Sequence, residues 1–182
     1  KSGAGKTTLM EGLCGLRQLK GGSILLDGTD ITHLRPGERG IGLVPQDTVL
    51  FPHMTVREHL AFAPELAGWG KVEVTQRVET LAESLGIMSL LDRKPQGLSG
   101  GEGKRVALGR AIAAKPKLLC LDEALTGLDG ETHTGILDLL DSVIKQESLT
   151  TLHITHREDE AARLGQSVYS LSGGCISSTA AE

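Results

Sequence analysis

The chain opens Lys1-Ser2-Gly3-Ala4-Gly5-Lys6-Thr7-Thr8 and runs straight into Leu9-Met10-Glu11-Gly12-Leu13. A lysine and a hydroxyl residue directly behind clustered glycines fit the second half of the loop G-x-x-x-x-G-K-[ST]. That loop joins a strand to a helix and wraps phosphate oxygens in backbone N–H groups. Gly5, Lys6 and Thr7 fill this half, so the loop's first glycine and the strand before it are expected ahead of Lys1. Glycine is needed because main chain must approach an anion closely. Lys6 would reach the β- and γ-phosphates and the Thr7 hydroxyl would ligate Mg²⁺. Taken alone, the run also fits a glycine-rich turn with a chance Gly-Lys-Thr, and the rest of the chain must decide.

Behind the opening, strand and helix patterns alternate. Residues 9–16 read as a helix, and 23–26 as a short strand stopped by the turn pair Asp27-Gly28. Residues 40–44 form a strand broken by Pro45-Gln46-Asp47. Thr55-x-x-Glu58 is a capping box that opens a helix. Val74, Val78, Leu81 and Leu85 recur at helical spacing up to Gly86. A further helix is predicted over 102–114, ended by Lys115-Pro116. Residues 118–121 are apolar on both faces, as buried parallel strands are. Residues 130–146 carry a helical period, 151–154 read as a strand, and 168–171 with 175–177 close a hairpin through Gly173-Gly174. This order predicts one α/β domain, a phosphate-loop core with a mainly parallel sheet and an inserted α-helical segment. The core is assigned to 1–50 and 115–182, the helical segment to about 51–114.

The 182 residues suit one domain. With 39% hydrophobic and 23% charged residues they exclude a collagen, a coiled coil and a disordered tail. An aromatic share of 2% and a net charge of −4 argue against a stacking platform or basic face for nucleic acid, so no nucleic-acid partner is expected. Cys14, Cys120 and Cys175 have neither zinc nor disulfide spacing and suit a reducing compartment. No apolar run approaches the roughly 20 residues of a membrane span.

Several residues carry chemistry. Ser99 and Glu102 form a capping box around Gly100 and Gly101, and the paired glycines leave the first helical N–H groups bare for an anion. Asp122-Glu123 closes a buried strand at the edge where α/β sheets bind ligands. There the Asp can hold Mg²⁺ and the Glu can position and deprotonate a water, although an acidic turn is the plainer alternative. Asp129 caps the next helix. Thr155-x-x-Glu158 reads as another capping box, placing His156 on the first turn of a helix, on the same sheet edge as Asp122 and in reach of a γ-phosphate. Gln46, after a third strand, can supply a Mg²⁺ or water contact. His33, His53, His59, His133 and His153 lack ligand spacing and read as structural.

In this order and spacing the set resembles the nucleotide-binding domain of ABC transporter ATPases over essentially the whole chain. KSGAGKTT matches the end of the phosphate loop, VPQD around Gln46 the Q-loop, and LSGGE at 98–102 the family signature. LLCLDE at 118–123 matches the Walker B strand, TGLD at 126–129 the D-loop and ITH at 154–156 the H-loop. The resemblance implies ATP and Mg²⁺ as ligands. Lys1 through Thr8 (Lys1, Ser2, Gly3, Ala4, Gly5, Lys6, Thr7, Thr8) would hold the phosphates, and Thr7, Gln46 and Asp122 the metal. Glu123 would be the general base and His156 the γ-phosphate contact. Ser99, Gly100, Gly101 and Glu102 would meet ATP on a second, head-to-tail copy, with Asp129 joining the two sites. The resemblance further implies a membrane permease docking around 47–62, a solute-binding protein, and a place on the cytoplasmic face of the cell membrane. DTVLFPHMTVREHLAF looks most like importers of the molybdate, sulfate, iron, polyamine and sugar group. Glu102 stands for the commoner Gln, Ala124 for Pro and Arg157 for Asp, none of which removes a catalytic group. The adenine-stacking aromatic is expected ahead of Lys1, and a central strand with it. A nucleotide-gated clamp of the translation or DNA-repair type is the competing reading, but no coiled-coil arm or basic surface supports it. A decayed gene product is the third.

Overall fold

A computed structural model describes residues 5–179, so Lys1–Ala4 of the expected loop lie outside the described residues. Helix α1 (Lys6–Leu13) begins behind Gly5, whose left-handed backbone (φ 88°) turns the chain into it. It lies earlier than the predicted 9–16 because the Cys14 and Gly15 N–H groups already close it on Met10 and Gly12. β1 (Leu25–Leu26) and β2 (Thr29–Asp30) form a small hairpin. Its turn residues Asp27 and Gly28 both have positive φ, the mirror-image turn that suits twisted strands. β3 (Ile41–Val44) leads out to Pro45-Gln46.

Three helices follow: α2 (Val56–Leu66), α3 (Lys71–Ser84) and α4 (Gly100–Ile112). α2 opens on its predicted box, the Thr55 N–H donating to the Glu58 carboxylate at 2.6 Å and the Glu58 N–H to the Thr55 hydroxyl at 3.3 Å. α3 buries Val74, Val78 and Leu81, and Gly86 (φ 64°) turns the chain away after it. α4 begins ahead of the predicted 102–114 because Gly100 and Gly101, directly behind the predicted cap Ser99, are already helical. β4 (Leu118–Asp122) is followed by α5 (Gly130–Gln146) and β5 (Thr150–Ile154), then α6 (Glu158–Leu164) and the hairpin β6 (Val168–Ser172) with β7 (Cys175–Thr179).

β3, β4 and β5 form a parallel sheet in that order, with Val44 opposite Leu121 and Asp122 opposite Ile154. The three strands therefore end level, and Gln46, Glu123 and His156 leave from one edge. The faces of β4 alternate as strands do. Leu119 and Leu121 enter one continuous core that runs from Leu60, Leu81 and Val106 of the helices to Ile136 and Leu140 of α5. Each such fully buried leucine contributes about 2 kcal/mol. Cys120, on the other face, joins Met10, Cys14 and Ile154 and seats α1.

α4 belongs to both helices and sheet, and glycines permit it. A Cβ on Gly109 would lie 2.5 Å from Leu60 Cδ2, and one on Gly42 would lie 2.3 Å from the Ala111 carbonyl oxygen. Two buried guanidiniums tie the parts together. Arg39 donates to the Gly12, Leu13, Thr32 and Leu34 carbonyls, closing the C-terminus of α1. Arg77 forks onto Glu147 at 2.8 and 2.9 Å and donates to the Ile112 and Ala113 carbonyls, joining α3, α4 and the end of α5. No helix among the described residues is long and apolar enough to cross a membrane.

Candidate active site

Lys6 is the first residue of α1, Glu123 follows β4 and His156 follows β5. The structure brings the three together. The Lys6 ammonium lies 3.2 Å from each ring nitrogen of His156, and His156 Nε2 lies 2.7 Å from Glu123 Oε1. An ammonium only donates and a carboxylate only accepts. A ring proton on Nε2 would be donated to Glu123 and would leave Nδ1 to accept from Lys6.

Glu123 is aimed by its backbone. Its φ of 47° is left-handed, uncommon for a side chain this size and typical of residues held at functional sites. The conformation is fixed on both sides, the Glu123 N–H donating to Ile154 at 2.9 Å and the Glu123 carbonyl accepting from the Thr126 N–H at 3.0 Å. Asp122, one residue earlier and 7% exposed, has no cation within ion-pair distance among the described residues. A buried, uncompensated hard oxygen donor of this kind suits Mg²⁺. Thr7 lies on the exposed first turn of α1, and Thr8 beside it. Gln46 is exposed and its side chain joins no hydrogen bond with the trio, but its main-chain carbonyl accepts from Lys104 Nζ at 2.9 Å.

His156 is not on a helical turn, contrary to the sequence expectation. The Thr155 hydroxyl accepts from the Arg157 N–H at 3.0 Å, closing a tight local turn, and is not left to cap Glu158. α6 then starts at Glu158 with Arg157 as an N-cap whose side chain makes no capping bond. His156 therefore sits in a bend between β5 and α6. Beneath that bend the buried Glu160 accepts from His133 Nε2 at 2.8 Å and lies 3.2 Å from His153 Nε2. Those two histidines are structural, as their spacing suggested. His59 is too, donating to the Thr55 carbonyl and accepting from the Phe51 N–H.

The signature segment lies at the start of α4 on the predicted box. The Ser99 N–H donates to Glu102 at 2.7 Å and the Glu102 N–H to Ser99 Oγ at 3.3 Å. The Ser99 N–H holds the Glu102 carboxyl below its usual range. The two glycines differ: a Cβ on Gly100 would meet nothing, whereas one on Gly101 would lie 2.9 Å from Thr132 Cγ2 of α5. Asp129 caps α5, accepting from the Thr132 N–H at 2.9 Å, which lowers its carboxyl pKa. Sequence reasoning missed Lys104 and Glu160, both charged and both buried. Their signal was a charge within an apolar helical face, without a visible partner.

A lysine at the head of a helix, a carboxylate behind a buried parallel strand and a histidine behind its neighbour define a P-loop NTPase domain of the α/β class. The model of the ABC transporter family matches residues 1–126, and the chain belongs to that family. It is 44% identical over 92% of its length to the molybdate/tungstate import ATP-binding protein WtpC of Thermococcus kodakarensis, covering 51% of that protein. It is 39% identical to the diacetylchitobiose uptake system ATP-binding protein MsiK of Streptomyces coelicolor, over 96% of this chain and 46% of that one. Against the maltose/maltodextrin import ATP-binding protein MalK of Yersinia pestis the identity is 38%, over 96% and 47%. The chain spans about half the length of these curated relatives.

Proposed function

We propose that this chain binds and hydrolyses ATP to drive solute import through a partner permease. The observation that carries the reading is the convergence of Lys6, His156 and Glu123 on one sheet edge. Lys1 to Thr8 cradle the phosphates, and Lys6 exchanges its His156 contact for the β- and γ-phosphates. Glu123 takes the proton of the attacking water and His156 hydrogen-bonds the γ-phosphate. Thr7, Gln46 and Asp122 hold Mg²⁺, which when bound neutralises developing charge on the phosphates. Ser99, Gly100, Gly101 and Glu102 close over ATP held by a second copy, and Asp129 joins the two sites. Residues 51–114 form the helical arm, docking a permease helix near 47–62, and a solute-binding protein delivers cargo. The protein then works at the cytoplasmic face of the membrane without spanning it. The relatives' names support import.

The test is ATP turnover and ATP-dependent dimerisation of the full-length protein, wild type beside Glu123→Gln. Turnover should fall at least about 100-fold in the variant while ATP binding persists and dimer accumulates. A variant that hydrolyses like wild type removes Glu123 from the role of base. A wild type that binds ATP without turnover, even with its permease, overturns the transport reading.

A further inference from the structure

The segment 45–50, which carries Gln46 away from β3, makes no backbone–backbone hydrogen bond among the described residues. Its main chain is tethered by one side chain, Lys104 of α4, whose ammonium donates to the Gln46 carbonyl at 2.9 Å. The rest of the segment rests on the same turn of α4. Thr48 and Leu50 face Gly103 on that turn, where a Cβ would stand at ordinary contact distance, 3.7 Å from Thr48 Cγ2 and 4.0 Å from Leu50 Cδ1. Lys104 is 9% exposed and forms no ion pair among the described residues, although the Asp47 charge nearby favours its protonated form. Burial pushes its pKa down. The Gln46 carbonyl and the Asp47 charge offset only part of the desolvation of this cation, which an apolar side chain of equal volume would avoid. The ammonium at this place therefore serves something other than packing.

We propose that Lys104 is a positioning residue for Gln46: it fixes the Q-loop to the signature helix, so that Gln46 and Ser99–Glu102 take up their working positions together. The inference rests on the reading of Gln46 as a metal or water contact. Lys104 touches neither nucleotide nor the reacting atoms and acts only through the carbonyl it holds.

The experiment compares Lys104→Met, Lys104→Arg, Gln46→Ala and the Gln46→Ala/Lys104→Met double variant in the full-length protein, measuring ATP turnover and thermal unfolding. Lys104→Met keeps the length and loses the donor. It should lower kcat by about tenfold with KM for ATP within about twofold, and leave Tm unchanged or higher. Lys104→Arg should recover most of the rate. The double variant should be no slower than Gln46→Ala, because both substitutions disable one unit. A Lys104→Met protein with wild-type kcat overturns the proposal. So does a double variant whose losses multiply, or a rate loss that follows a fall in Tm. If Gln46→Ala itself turns over like wild type, the reading of Gln46 fails instead, and Lys104 loses the residue it is said to position.

Discussion

Gly100 and Gly101 are adjacent and chemically identical, yet their surroundings give them different work. Gly101 is needed for packing, because a methyl there meets Thr132 at 2.9 Å and forces α4 or Thr132 to move. Gly101→Ala should cost about 1–3 kcal/mol in denaturant unfolding. Gly100 faces open space at the first position of a helix, so Gly100→Ala should leave stability within about 0.5 kcal/mol. If Ser99–Glu102 meet a second copy's nucleotide as proposed, it should nonetheless weaken ATP-dependent dimerisation, measured by sedimentation, because the methyl crowds the first N–H groups of the helix. Equal effects of the two variants on stability would contradict this division. Residue-scale features were legible where they are local. The boxes Thr55/Glu58 and Ser99/Glu102 formed as their spacing required. Thr155/Glu158 has the same spacing and did not form, because its hydroxyl bonds a nearer N–H. Spacing names the candidates for a bond; the backbone at each site chooses among them.

At the level of elements, the Arg77–Glu147 fork decides how helices and sheet hold together. Its side chains are 7% and 15% exposed, so water screens it little. Arg77→Met leaves Glu147 buried without a cation and takes from the Ala113 carbonyl its guanidinium donor, while Ile112 keeps the Lys115 N–H, and should cost about 3 kcal/mol by urea unfolding. Adding Glu147→Leu should recover part of that loss, whereas purely additive losses would show that the two do not act as a pair. Arg77 occupies the slot between Val74 and Val78 on the buried face of α3, so the sequence already showed a charge where an apolar residue belonged. Its partner lies 70 positions away and no local pattern identifies it. The long periodic elements were readable for the opposite reason. α5 spans the predicted 130–146 because its period, cap and end signals agree. β2 was not readable, being two exposed polar residues defined only by their pairing with β1.

For the whole molecule, acid is the condition to which the core is most exposed. Burial holds the pKa of His59 and of His153 below the ordinary histidine value, with Glu160 only partly offsetting it at His153. Below about pH 6.5 the unfolded chain takes up protons at these sites that the folded chain refuses, so stability is full above that value and declines beneath it. The capping carboxylates Glu58, Glu102 and Asp129 are held down in the folded state and stay ionised through this window, so they do not mask the trend. The urea midpoint should hold nearly level from about pH 7.5 to about pH 6.5 and then fall towards pH 5.5, and a flat profile would refute the assignment. Overall element order and the common sheet edge from which Gln46, Glu123 and His156 leave were legible because motif spacing and strand pattern agree. The sharing of α4 between sheet and helices was not, since it depends on contacts between Gly42, Gly109 and residues far along the chain. That sharing has a further result. Gly42 bears on the last turn of α4, while Ser99 stands at the other end of a stiff rod about 20 Å long. Any side chain at Gly42 would prise that rod from the sheet and displace its tip, so the placement of Ser99–Glu102, which in the proposed function meets a second copy's nucleotide, is calibrated by a hydrogen atom at the opposite end of the helix.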